Sequence, residues 1–337
     1  RGSAIAAEEL LQRMEERRLE GDETVAPDAR TIAGVVNAWA FSGQRGSARR
    51  AERVFESHCA GSGRTGSVAP DRVVFNTLLN CWAKSGDWAA SQRVDDILKE
   101  MEEEADRDST GRAPRPDVRT YTTALDAFAK GRERWAPHRA EEILDAMERR
   151  YAETGDPNVR PNALTYTAAM NCWARSKDHG SKASRARDLL YRMEEAYRSG
   201  NAAARPNVVA YNVLLNACAH TSGDTGTLEE AFRIACLAFE ELRAAETPAR
   251  PSHITYATFL DICAKLMPGG ELRDDLVRRI FQRCARDGMV SNLVLRRARG
   301  ALGSDLYEGL LEGSEEDKLP KEWTKNVSYR VPPVSSR

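Results

Sequence analysis

The sequence predicts an all-α solenoid, a stack of helical pairs, and three observations predict it. The stretch RPNALTYTAAMNCWAR from Arg160 returns almost unchanged as RPNVVAYNVLLNACAH from Arg205. Related stretches open at Ala26, Ala69, Arg115 and Arg250, so that Pro27, Pro70, Pro116, Pro161, Pro206 and Pro251 mark six copies 43 to 46 residues apart. A period of that length belongs to arrays in which one supersecondary unit stacks on its own copies. Within each copy the apolar residues follow the 3.6-residue period of two successive helices separated by a polar breaker.

The elements follow in order. Residues 1–26 contain AAEELLQRMEER from Ala6, the pattern of a second helix, so the chain is read as starting halfway through a repeat, with more repeats expected upstream. Residues 27–290 hold six pairs. In the copy at Pro161, Pro161-Asn162 supplies a turn and an N-cap side chain. Tyr166, Ala169, Met170, Trp173 and Ala174 then fall at i, i+3, i+4, i+7 and i+8, one buried face of helix A. After the breaker SKDHGSK, Ala186, Leu189, Leu190 and Met193 make the apolar side of helix B, and RAEEILDAMERR from Arg139 and RVDDILKEMEEE from Arg93 repeat it. Trp39, Trp82, Phe128 and Trp173 are read as core between helices, and Glu-rich runs such as Met101 to Glu104 as the solvated outer face. Polar segments such as ADRDSTGRAPR and YAETGDPNVR are loops or helix extensions, which cost little entropy at a surface. Residues 291–303 form a capping helix around NLVLRRA, and residues 304–337 lack periodicity and are read as a flexible tail.

Composition narrows the function without naming it. The formal net charge of −1 gives no whole-chain excess of base, so nucleic-acid binding has to be argued from where charges sit. The seven cysteines make no C-x-x-C pair and are spaced like interior helix positions, which points to buried thiols in a reducing compartment. No apolar run reaches the length of a membrane span.

A second face of helix A repeats as well. Residues four apart stack on one side of a helix. Thr167, Asn171 and Arg175 form such a line, and its counterparts read Asn76, Asn80, Lys84; Thr122, Asp126, Lys130; Asn212, Asn216, His220; and Ala257, Asp261, Lys265. Lys84, Lys130, Arg175, His220 and Lys265 thus close successive lines as a row suited to a phosphate backbone. A base in the last turn also complements the helix dipole. That role does not account for the small Asn, Thr or Ala that opens every line, where a longer helix former is expected.

At this point the residues resemble the pentatricopeptide-repeat family, in which helix A is similar to P-D-V-V-T-Y-N-T-L-I-D-x-L-C-K and helix B to A-L-E-L-F-E-E-M. PDRVVFNTLLNCWAK and PNVVAYNVLLNACAH match the helix A pattern nearly position for position, and the resemblance covers about residues 3–295. The chain departs from the family's 35-residue period by about ten residues, split between the A-to-B turn and the segment after helix B. The tetratricopeptide pattern is not found at these starts.

The resemblance implies a right-handed superhelix that binds single-stranded RNA, one base per repeat, in organellar RNA processing, stability or translation. It implies base-reading pairs at Asn76 with Asp117, Thr122 with Asn162, Thr167 with Asn207, and Asn212 with Ser252, reading roughly U, A, A and C. The implied base wedges are Val73, Leu164, Val209 and Ile254, with Arg119 departing from the apolar type. Ala33 with Asp71 and Ala257 with Ser291 lack the polar side chain and are left unassigned. The resemblance further implies a monomer in the mitochondrion or chloroplast, working with RNA and other RNA-processing proteins, with no membrane, cofactor or metal. No H-x-E motif accompanies the five histidines, which argues against the deaminase parts some family members carry, so no catalytic residue is expected. A helical scaffold for protein partners is the alternative function.

Overall fold

Every repeat proline is followed by a side chain that caps a helix, and this local chemistry sets the element boundaries. Asp28 accepts the amide of Thr31 at 2.7 Å, Asp71 that of Val74 at 2.9 Å, and Asp117 that of Thr120 at 2.8 Å. Asn162, Asn207, Ser252 and Ser291 do the same for their helices. Each satisfies an amide that a helix start leaves orphaned, an interaction worth about 1 kcal/mol.

The computed structural model describes residues 2–60, 66, 68–108, 110–131, 133–178, 180–244, 249–311 and 319–327. Among these the chain is all-α: sixteen helices, three 3-10 turns and no strand, with one isolated bridge between Cys59 and Val68. The helices fall into two units, Arg1–Cys172 and Trp173–Arg337.

The first unit holds α1 (Ser3–Leu19), α2 (Ala29–Ala40), α3 (Ser47–His58), α4 (Arg72–Ser85), α5 (Ala90–Arg107), α6 (Val118–Gly131) and α7 (Ala136–Thr154). Helix α8 (Ala163–Arg175) spans the boundary. The helix A elements α2, α4 and α6 lie side by side, and α5 packs against α4 and α6. Trp39, Trp82 and Phe128 are buried between these helices, at 5%, 1% and 0% exposure, so their rings serve the core. Burying each such ring contributes roughly 2 to 3 kcal/mol before entropy is counted.

The second unit holds α9 (Lys182–Arg198), α10 (Val208–Ala219), α11 (Thr225–Arg243), α12 (His253–Leu266), α13 (Glu271–Arg286), α14 (Asn292–Ala301), α15 (Ser304–Leu310) and α16 (Lys321–Thr324). Helices α10, α12 and α14 lie side by side, with α9 against α10 and α11. No helix among the described residues is long and apolar enough to cross a membrane.

Two side-chain devices recur between neighbouring repeats. The helix A tyrosine reaches back to an acid at the end of the preceding helix B: Tyr166 to Glu148 at 2.8 Å, Tyr211 to Glu194 at 3.2 Å, and, reaching forward instead, Tyr256 to Asp287. Burial, and then the adjacent carboxylate, push the Tyr211 and Tyr256 hydroxyls well above the ordinary phenol range. The second device is an Arg ladder along helix B. Arg50 pairs with Glu8 at 3.0 Å, Arg93 with Glu52 at 2.6 Å, and Arg139 with Asp95 at 2.9 Å and Glu102 at 3.0 Å. In the second unit Arg187 grips Glu241 through both oxygens at 2.6 and 2.7 Å.

After α7 and α9, residues beyond the 35-residue period are folded. Helix α7 runs to Thr154, ends on Gly155 at φ 65°, and passes into a 3-10 turn at Pro157–Val159. Only glycine adopts that left-handed conformation without strain. Val159 is buried, as is Ala204 at the end of the equivalent turn Ala202–Ala204. Cys81, Cys218 and Cys263 are buried thiols whose pKa burial pushes up to about 12.

The expected flexible tail needs correction for the described part of residues 304–337. Helix α15 buries Tyr307 and Leu310, and α16 brings Trp323 edge-on to Phe281 with ring centroids 5.8 Å apart. Val290 donates its amide to the Trp323 carbonyl at 2.8 Å, and Asn326 donates to that of Gly288 at 2.9 Å. Residues 312–318 and 328–337 of the expected tail lie outside the described residues. Trp323→Ala should therefore destabilise the second unit by about 2 kcal/mol, roughly 6 °C in thermal midpoint. A melting curve unchanged from wild type would return this segment to a dispensable tail.

Candidate nucleic-acid interface

Three of the four sequence-derived pairs fall within single units, and in each the two members meet around a threonine. In the first unit the Thr120 hydroxyl lies 2.6 Å from Asn76 Oδ1 and 2.9 Å from Asp117 Oδ1, while the Asp117 amide donates to Thr120 Oγ1 at 3.1 Å. Asp117 thus joins Asn76 despite the long connection ADRDSTGRAPRP before it. Its second oxygen faces Arg72 Nε at 3.3 Å. Thr122 and Asn162 join through Thr165, whose hydroxyl lies 3.3 Å from that of Thr122 and donates to Asn162 Oδ1 at 3.1 Å. In the second unit Thr255 donates to Asn212 Oδ1 at 2.7 Å and sits 3.1 Å from Ser252 Oγ.

The fourth pair divides between the units. Thr167 belongs to one unit and Asn207 to the other. Thr167 is 7% exposed and donates to the Ala163 carbonyl at 2.6 Å, while Asn207 Oδ1 caps the amides of Val209 and Ala210.

The residues two positions after each cap stand out by exposure. Val73 is 60% exposed, Leu164 69%, Val209 54% and Ile254 46%. Each begins an otherwise well-buried helix, and none is taken into the core. Arg119, in the same position on α6, is exposed too.

The line of bases is less uniform than its sequence. Lys130 pairs with Asp126 at 2.6 Å and Lys265 with Asp261 at 2.7 Å, each one helical turn apart. Asp261 is further held by Arg297 at 2.9 Å. His220 turns Nδ1 to the Asn216 carbonyl at 2.9 Å, and Lys84 lies 4.5 Å over the Phe41 ring. Arg175 is exposed at the end of α8.

Residues 151–221 match the pentatricopeptide repeat domain family. That segment carries the pentatricopeptide repeat pattern. The match covers α8, α9 and α10 entire, and no curated protein matches the chain. The proline, cap and helix A aromatic of that pentatricopeptide segment recur in the copies on either side of it. No cluster of metal-binding side chains occurs among the described residues.

Sequence reasoning missed Thr120, Thr165 and Thr255, which join the paired residues, and Arg72, which faces Asp117. The threonines stand three residues after each cap and are hidden in the sequence by an ordinary helix-start role.

Proposed function

We propose that the chain binds single-stranded RNA through its pentatricopeptide repeats, one base per repeat, and serves RNA processing, stability or translation in a mitochondrion or chloroplast. Asn76 with Asp117, Thr122 with Asn162, Thr167 with Asn207 and Asn212 with Ser252 take the base edges. Val73, Leu164, Val209 and Ile254 insert between bases, and Arg119 stacks there through its guanidinium. Lys84, Lys130, Arg175, His220 and Lys265 serve the phosphates. Single-stranded RNA is the partner, alongside other RNA-processing proteins, and the protein acts as a monomer without catalysis.

The exposed Val73, Leu164, Val209 and Ile254 carry this reading. A solvated face gives no reason to place a large apolar side chain beside a polar pair in each of these repeats, whereas unstacked bases need both an apolar surface and a hydrogen-bonding edge. The test is anisotropy with random single-stranded RNA and with duplex RNA of the same composition, at rising salt. Preference for the single strand with steep salt weakening supports the reading, and equal binding or none rejects it.

The paired lysines add a sharper expectation. A Lys130 already neutralised by Asp126 releases few counterions on meeting phosphate, so Asp126→Asn should tighten binding and steepen the log affinity against log salt slope by about 0.7. An unchanged slope would place Lys130 off the RNA path.

A further inference from the structure

We infer that Thr120 and Thr255 are positioning residues that set base selectivity at Asn76 and Asn212, by holding each carboxamide in one of its two orientations. The inference rests on the RNA reading proposed above and names what makes that reading selective.

The first support is geometric. Thr120 Oγ1 to Asn76 is 2.6 Å and Thr255 Oγ1 to Asn212 is 2.7 Å. These distances suit O–H···O bonds and are at or below the short limit for N–H···O, so the carboxamide atom facing each hydroxyl is the oxygen. Each threonine is completely buried, and its oxygen also accepts the amide of its own cap residue, from Asp117 at 3.1 Å and from Ser252 at 2.9 Å. The hydroxyl's single proton also has an acceptor in its own cap, Asp117 Oδ1 at 2.9 Å or Ser252 Oγ at 3.1 Å, and the shorter distance to the preceding helix directs it to Asn76 or Asn212. With the oxygen engaged, Asn76 and Asn212 are left the NH2 group, a donor, for a base. An Asn without this contact rotates about a broad two-fold torsion and offers donor or acceptor alike, which selects nothing.

The second support is independent of the geometry and comes from comparing the repeats. Where the base-facing position is polar, the next helix carries Thr in its third position: Asn76 with Thr120, Thr122 with Thr165, Asn212 with Thr255. Where that position is Ala, with nothing to orient, the residue is Val: Ala33 with Val74 and Ala257 with Val294. Val has the shape of Thr without the hydroxyl. A helix start would use Thr equally in all of these copies, so the exchange follows the partner and not the helix. Thr167 with Ala210 departs from the rule; its hydroxyl is spent on its own helix, as that of Thr122 is, so the two Asn positions carry the argument.

The experiment uses the full chain. Selection from a random single-stranded RNA pool gives the wild-type motif. Four RNAs that differ only at the base read by Asn76 are then titrated against wild type, Thr120→Val and Thr120→Ser. Thr120→Val should reduce the ratio between best and second base by roughly tenfold at that position alone. Thr120→Ser, which keeps the hydroxyl, should preserve the wild-type ratio. Thr255→Val should flatten only the Asn212 position, and it reads the same question if Thr120→Val fails a thermal melt. Wild-type ratios in Thr120→Val, or equal loss in the Val and Ser variants, overturn the inference while the RNA reading stands. A wild type that selects no motif overturns both, and shows it before any variant is made.

Discussion

Replacing Arg139 with Ala should destabilise the first unit by about 3 kcal/mol. Arg139 on α7 is 18% exposed and collects Asp95 at 2.9 Å and Glu102 at 3.0 Å from α5. The Asp95 side chain is only 4% exposed. An exposed ion pair contributes little, but a buried carboxylate stripped of its partner retains the cost of leaving water. Lys99, one turn along α5 and 2.7 Å from Asp95, remains in the variant and holds the loss near the low end of that class. The check is a double-mutant cycle by thermal unfolding with Arg139→Ala, Asp95→Ala and both. Removing both should cost less than the sum of the singles, since no charge is then stranded. A single variant within about 0.5 kcal/mol of wild type, the scatter of ordinary surface changes, would show that Arg139 does not hold α7 to α5.

Exchanging Asn76 for Thr should move the preferred base at that repeat from U toward G, a change of about 1 to 3 kcal/mol in relative affinity. The expectation rests on the proposed RNA binding and on the family resemblance, whose pairs imply G for Thr together with the retained Asp117, and it agrees with what threonine does at this position elsewhere in the chain. Thr122 and Thr167 both give their proton to the carbonyl four residues back, at 2.6 Å. A threonine at 76 that does the same toward Arg72 offers lone pairs outward where Asn76 offers NH2. An acceptor suits guanine, which presents N–H groups on its pairing edge, and leaves a uracil carbonyl facing no donor. Titration of four RNAs that differ at this base decides it, and identical rankings for wild type and variant would remove Asn76 from base reading.

Sequence by itself determined the helical pairs and their buried faces, because both rest on interactions within a few residues. The cap after each proline satisfies amides two or three positions on, as Asn162 does for Leu164 and Thr165. The 3.6-residue period put Tyr166, Ala169, Met170, Trp173 and Ala174 on one face, and all five are buried. The first member of each candidate pair was legible because repetition exposes a position that neither caps nor core accounts for, while the second, itself a cap, was implied only by the family resemblance. Only the tertiary structure decided what lies between those pairs. Thr120 meets Asn76 across 44 positions, and Thr255 meets Asn212 across 43, through the packing of neighbouring helix A elements. The length of ADRDSTGRAPRP left open whether Asp117 could reach Asn76, since a longer loop closes at small extra entropy and its conformation settles the matter. Lys130 and Lys265 read alike with Lys84 and Arg175 as bases at the end of a line, yet rotamers and nearby acids neutralise the first two. Trp323 docks on Phe281 through one ring and two backbone bonds, contacts that leave no period for a sequence to display.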